Sequence, residues 1–459
     1  MDRFSRRHSR LAGAAVAVLA VGGVLAGCSS SSSSSSSSAP AGTTSSSAAP
    51  ASSAAASGTS SCGKNPGVAA TGTPINLGAI ATQQPGTDFT DIPNMAQAYF
   101  NCVNANGGIN GHPIKLTILT EKTDPAQIAA DAKQLVQSVH AVGIVGNTSI
   151  LECTINHKYW EGLGFYLIDS GIAPECYATS NSAAVNMGPR YSSDGAVQYV
   201  LGQHVSKVVF DQANVPGNPY VAAGPIALAA NAKTPIVTLT ENVPITNANS
   251  VAIKVVQAAG PNGAVVLNFT PPQALVILQA AQKLHIQNKV KMWGCSTPCN
   301  TDFLAKSLGS AYDGKLFVNA ELTPTNTNSP TMNLYKAILQ QYGTNVTGGV
   351  GSFSQMGFTE AELMVKALES VQGDYTVQSV NAAVKALNNV STGMLCQQWT
   401  YGAYTLHIPN NSDYTVTPTN GAMSLVPGTG CTNISSVDPQ IAAYRAQAGT
   451  APADPTATP

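Results

Sequence analysis

Between residues 75 and 293 short apolar runs alternate with helix-forming stretches, and this alternation constrains the fold more than any other property of the 459-residue chain. Residues 75–81 read as a strand, a helix follows over 93–103, a second strand covers 114–120, and a second helix runs over 125–139. Asp124 is placed to cap that helix, with Pro125 in its first turn, where the missing N–H has no partner to lose. The unit repeats with strands at 141–145 and 165–168 around another helix, then with strands at 207–210, 235–239, 264–268 and 289–293. Strands separated by helices build parallel sheets flanked by helices, an α/β architecture. So many strands overfill one open sheet, and the rhythm breaks between Asn186 and Ser193, which predicts two lobes. Ligands of such sheets sit beyond the carboxyl ends of the strands, so the cleft between lobes is the expected site.

Upstream of the first strand, Arg3, Arg6, Arg7 and Arg10 precede an apolar run over 11–25, the n-region and h-region of an export signal. The run is too short to cross a bilayer, which takes about 20 apolar residues. Leu25-Ala26-Gly27-Cys28 resembles the bacterial lipobox, which implies cleavage before Cys28, a lipid on that residue and anchoring to the outer face of the cell membrane. Ser5-Arg6-Arg7 faintly resembles a twin-arginine signal, and both export routes stay open. Ten consecutive serines from Ser29 to Ser38 and the Ala, Thr, Gly and Pro that follow cannot bury apolar surface, so 28–61 is expected to be a flexible tether.

The full chain has 22 Lys+Arg against 23 Asp+Glu, a net charge of -1; removing four Arg and one Asp with residues 1–27 takes it to -4. Such a surface has no basic surplus for nucleic acid phosphates. Of nine cysteines, setting aside Cys28 leaves eight, an even number suited to disulfides in an oxidising compartment. Cys295 and Cys299 lie in a run that a small loop closes, and no His stands near them to suggest a metal site. Cys153 with Cys176, Cys396 with Cys431 and Cys62 with Cys102 complete the expected set, one of about 105 connectivities that eight cysteines allow.

The run Asn106-Gly107-Gly108-Ile109-Asn110-Gly111-His112-Pro113-Ile114, followed by Thr123-Asp124-Pro125 and an Ala-rich helix, resembles the branched-chain amino acid type of periplasmic binding protein. Val145-Gly146, Ala173-Pro174-Glu175, and Ala258-Ala259-Gly260-Pro261 leading into Val265-Val266-Leu267 extend the resemblance over residues 75–370. It implies the type 1 periplasmic-binding-protein fold, in which two Rossmann-like lobes with parallel sheets, joined by a three-segment hinge, close on a small solute and deliver it to an ABC transporter permease. The expected boundaries are 1–27 for the signal, 28–61 for the tether, 62–188 with 320–395 for lobe 1, 189–319 with 396–437 for lobe 2, and 438–459 for a flexible tail. A monomer without cofactor is expected.

A solute held in a dry cleft needs its polar groups met by preformed partners. Thr148 and Ser149 follow a strand and precede a helix, where hydroxyls and backbone N–H groups serve equally as cap or as ligand cradle. Asp169, Ser170 and Gly171 follow the next strand at the family's second ligand loop. By the same resemblance Phe89 falls on an aromatic wall of lobe 1, with Tyr220 and Phe269 on lobe 2, and Ser296 lies on the lobe-two loop.

Amino acid binders of the family place a carboxylate just after a lobe-two strand for the ligand's ammonium; Gly294-Cys295-Ser296-Thr297-Pro298-Cys299 has none. Ile172 stands where a Thr hydroxyl is expected, leaving Asp169 or Glu175 as the alternative ammonium partners. The expected ligand is therefore a small neutral or anionic solute, an amide or carboxylate, with a branched-chain amino acid as the family-level alternative. Catalytic motifs are missing. Residues 309–315 have phosphate-loop spacing, but Leu316 stands where the Ser or Thr for magnesium belongs. The scattered His residues form no metal set. Three function classes remain: a receptor for an ABC importer, a receptor of the same fold coupled to a membrane sensor, and a lipid-anchored hydrolase, the last disfavoured for want of a nucleophile and base pair.

Overall fold

A computed structural model describes residues 62–448, so the signal at 1–27 and the tether at 28–61, Cys28 included, lie outside the described residues. Two sheets organise the described chain. The first takes β1 (Ile75–Gln84), β2 (Thr87–Asp88), β3 (Ile114–Glu121), β4 (Gly143–Asn147), β5 (Leu167–Asp169) and β6 (Ser182–Ala184), with β1 paired in parallel to both β3 and β4. The second takes β7 (Val208–Ala213), β8 (Ile236–Glu241), β9 (Ala264–Asn268), β10 (Met292–Cys295), β11 (Leu316–Ala320), β12 (Ser412–Thr419), β13 (Ala422–Leu425) and β14 (Thr432–Asn433). Its order is β13-β12-β11-β10-β9-β7-β8, with β14 on β12; β7 to β11 are parallel and β12 to β14 antiparallel.

The local rules operate as the sequence predicts. Asp124 accepts hydrogen bonds from the N–H groups of Ala126 and Gln127 at 2.8 and 3.2 Å, starting the helix Pro125–Gln137. Strands β4 and β10 are buried throughout, as parallel strands covered on both faces must be. Residues 309–315 form a short turn leading into β11 rather than a loop between strand and helix.

After β6 the chain crosses to the second sheet through the helix Gly188–Gly202. It returns after β11 to add the helices Pro330–Tyr342, Ser352–Ser370 and Val377–Lys385 to the first lobe, and crosses a third time to β12. The helix Ser352–Ser370 lies directly on Asp91–Ala105, because Gly357 leaves room for the Ile92 carbonyl and Phe358 meets Tyr99 edge to face at 5.0 Å. Leu77, Phe100 and Met364 anchor the first core; Leu267, Trp293 and Leu304 anchor the second. No described helix is long and apolar enough to cross a membrane.

Among the described residues the disulfides are Cys62–Cys102, Cys153–Cys176, Cys295–Cys299 and Cys396–Cys431, the pairs expected from the sequence. The expectation of a flexible tail from residue 438 is corrected for its first part. Residues Pro439–Ala448 form a helix whose Ile441 and Tyr444 are each 1% exposed, packed with Tyr177, Tyr191 and Ile408. Two apolar residues three apart give this helix one buried stripe, enough to dock it where the chain crosses between lobes. The remainder, 449–459, lies outside the described residues.

Candidate functional site

A cavity of about 330 Å³ lies where strands of both sheets end. From the first lobe it is lined by Phe89, Ile92, Thr148, Ile150, Leu151, Ser170, Ile172 and Glu175; from the second by Val215, Tyr220, Val221, Asn268, Phe269, Thr297 and Pro298. Phe353 and Met356 come from the helix Ser352–Ser370, and Glu321 follows β11 directly. Phe89 stands edge to face on Phe353, centroids 5.5 Å apart, which makes one wall a rigid aromatic corner.

Of the residues expected from the sequence, Phe89, Thr148, Ser170, Tyr220 and Phe269 come together on this cavity, and Ser149, Asp169, Gly171 and Ser296 do not. Side chains of an extended chain alternate between its two sides, and here the alternation runs on past the strand ends. Thr148 and Ser170 thus face the cavity while their neighbours face inward. Ser149 is buried with no hydrogen-bond partner for its hydroxyl. Asp169 accepts a 2.6 Å bond from Ser182 beneath the cavity floor, and burial, with a smaller contribution from Glu152, raises its carboxyl to about 8. It is therefore corrected from ligand partner to interior group. Gly171 is enclosed by Cys176 and Tyr177, and its carbonyl accepts from Tyr177 and from Asn186. Ser296 is fully buried and donates 2.8 Å to Asn268, so Thr297 and Pro298 present this loop to the cavity instead. The Cys295–Cys299 disulfide closes that loop.

The stretch 294–299 supplies no carboxylate, but Glu175 lines the cavity and so does a second acid, Glu321, which the sequence reading did not name. Glu321 is 1% exposed and accepts a 2.5 Å bond from the N–H of Met187. Burial raises it to about 8, against the Met187 bond that lowers it, and Asp413 adds to the rise. Near neutral pH the Glu321 carboxyl is predominantly protonated, a neutral group able to donate as well as accept. Glu175, half-buried, accepts 2.8 Å from Thr154 at the rim. The Ser170 hydroxyl donates to Glu360, a wholly buried acid whose proton burial retains. Among the described residues no Lys, Arg or His lines the cavity.

Sequence reasoning missed Glu321 because the search for an acid stopped at the loop after β10, one strand short. Its signal was present: a carboxyl directly after the apolar run 316–320. Phe353 and Met356 carried no signal, since they reach the cavity from a helix remote in sequence from its other walls. A second cavity of about 360 Å³ continues the cleft past Gly86, Thr87, Thr270, Pro298 and Phe353, which line both. Cys153, Cys176 and Asp169 form a tight buried group, but both sulfurs are bonded to each other and offer no thiolate to a metal.

A sequence-family model described as periplasmic binding protein matches residues 74–420. Among curated proteins none matches the chain in sequence. Among solved structures, a fatty acid ABC transporter substrate-binding protein from Thermomonospora curvata superposes with a TM-score of 0.67 at 16% identity, covering 83% of this chain and 96% of its own. A branched-chain amino acid ABC transporter protein from Thermus thermophilus with bound valine gives 0.69 at 15% identity, covering 80% and 98%. A solute-binding protein from R. palustris in complex with 4-hydroxybenzoate gives 0.65 at 14% identity, covering 79% and 97%. At these identities the likenesses establish the two-lobed fold.

Proposed function

The chain belongs to the periplasmic binding protein family over residues 74–420, and on that premise we propose that it captures a small, largely apolar, uncharged solute between its lobes and delivers it to an ABC importer. The observation that carries the reading is the cavity itself: aromatic and aliphatic walls, no cationic side chain, and one buried carboxyl, Glu321, that holds its proton near neutral pH. An apolar body gains from burial against Phe89, Tyr220 and Phe269. A carbonyl or amide end finds in protonated Glu321 both a donor and an acceptor. A free carboxylate meets no countercharge, which favours the amide over the carboxylate among the ligands expected from the sequence. An ammonium pairs only with ionised Glu321, so the carboxyl must first release its proton to solvent, which weakens a zwitterionic amino acid relative to an amide of similar size. The two-lobed neighbours of this fold that carry valine or 4-hydroxybenzoate support a ligand of this scale.

We further propose that Cys28 bears a lipid that holds the protein at the outer face of the membrane, where an importer is reached; the basic n-region, the apolar run and Leu25-Ala26-Gly27-Cys28 support it. Fractionation of cells expressing Cys28→Ala tests the anchor: unprocessed precursor is the expected result, and normal cleavage with membrane retention overturns it. The solute reading is tested by calorimetry with benzamide, benzoate and leucine as probes. Benzamide is expected to bind best; absence of binding by all three, together with no retained small molecule in native mass spectrometry, overturns it.

A further inference from the structure

The helix Pro439–Ala448 lies beyond the segment matched by the family model, yet the residue before it forms a buried ion pair with the helix Gly188–Gly202. Asp438 is fully buried and takes both arms of the Arg190 guanidinium, 2.7 Å from Nε and 2.9 Å from Nη2. The same carboxylate accepts the N–H of Gln440 at 2.7 Å and so starts its own helix. The third arm of Arg190 donates 3.1 Å to the carbonyl of Tyr220, and the guanidinium lies 4.9 Å over the Tyr220 ring. Tyr220 lines the solute cavity. A single cation thus ties the C-terminal helix to the wall of the binding site.

A second carboxyl completes the group. Asp194, also fully buried, lies beside Asp438 across the space that Gly224 leaves, since a Cβ there would fall on oxygens of both acids, and its carboxyl has no other partner. Two carboxyls facing one guanidinium in a dry site balance only if one keeps a proton. The groups that face the pair are Arg190 and Tyr191 from the helix of Asp194 and Tyr220 from the helix Asn218–Asn231, with Tyr177 behind Tyr191. Burial, then the neighbouring Asp438, holds the Asp194 proton on; Asp438 stays ionised because the adjacent Asp194 and the Arg190 guanidinium outweigh its own burial.

We propose that Asp438 is a positioning residue for the binding site: through Arg190 it fixes Tyr220 and the first turn of the helix Asn218–Asn231, and the proton shared with Asp194 makes that hold pH-dependent. This rests on the solute reading only for its effect on affinity; the effect on the wall itself does not depend on it.

The test compares wild type with Asp438→Asn, Asp194→Asn and Arg190→Lys, reading hydrogen-exchange protection across 218–225 from about pH 5 to about pH 10, with benzamide affinity measured at neutral pH. Asp438→Asn is expected to lower protection at 218–225 about tenfold or more while β1 is unchanged, and to weaken benzamide about fivefold or more. In wild type the protection falls as the pH rises far enough to ionise Asp194. Asp194→Asn, whose amide donates to Asp438 at every pH, keeps the protection and removes the fall. Arg190→Lys keeps a charge without the fork and falls between wild type and Asp438→Asn. Unchanged protection at 218–225 in Asp438→Asn, or identical pH profiles for wild type and Asp194→Asn, overturns the proposal. Should benzamide bind neither wild type nor variants, the solute reading has failed for this probe, and the exchange profiles still decide the role of Asp438.

Discussion

Thr270 of the second lobe donates its hydroxyl to the carbonyl of Gly86 in the first lobe, 3.1 Å away, at the boundary shared by the two cavities of the cleft. The bond spans the lobes, and it does not cap the helix Pro271–Lys283, since Thr270 makes no side-chain bond to that helix.

Thr270→Val keeps the shape and removes this bond. A net hydrogen bond is worth about 1 kcal/mol, so affinity for a bound solute should fall about fivefold, chiefly through faster dissociation. Stopped-flow release measures it; an unchanged release rate shows that the closed state does not depend on the Thr270–Gly86 contact.

Glu321 makes stability fall as the pH rises through the weakly acidic and neutral range. Its folded value of about 8 lies above the ordinary 4.5, so the unfolded chain releases this proton at a lower pH than the folded one. The contribution of Glu321 to folding stability is therefore largest below the unfolded value, declines as pH rises toward about 8, and is level above it. Glu321→Gln should remove that decline from the pH profile of Tm. Profiles of variant and wild type that run parallel between these limits would contradict the assignment. For benzamide, which accepts from protonated Glu321, wild-type affinity should fall above about pH 8.

The disulfides should separate stability from binding. Loop closure scales with separation, so losing Cys62–Cys102, 40 residues apart, should cost about 4 kcal/mol and losing Cys295–Cys299, 4 apart, about half as much. Yet the shorter bridge shapes the loop that presents Thr297 and Pro298 to the cavity. Replacing Cys295 and Cys299 by Ser should lower solute affinity more than it lowers Tm, and replacing Cys62 and Cys102 should do the opposite. Calorimetry beside thermal unfolding checks the crossing; equal effects of both pairs on affinity would refute it.

Much of the fold was legible because its signals are local. The cap at Asp124, the buried run of β9 and the turn before β11 each depend on neighbours in sequence, and each lies where those neighbours put it. The antiparallel strands β12 and β13 were missed because 412–419 and 422–425 stand outside the strand-helix rhythm, and pairing with β11 is a long-range fact. The site divided along similar lines. Residue types after strands were readable, but which neighbour faces the cavity depends on where the alternation falls, so Thr148 and Ser170 were found together with Ser149 and Asp169, which face away. Glu321 and Asp438 were passed over for a further reason. A carboxyl reads as surface charge until the fold buries it.

The most direct measurement is calorimetric titration of purified wild-type protein with benzamide and with leucine at about pH 6.5, where Glu321 retains its proton. The account predicts one benzamide per chain, a negative heat-capacity change from apolar burial, and tighter binding of benzamide than of leucine. Tighter binding of leucine would contradict it, and would mean that Glu321 gives up its proton to receive an ammonium group.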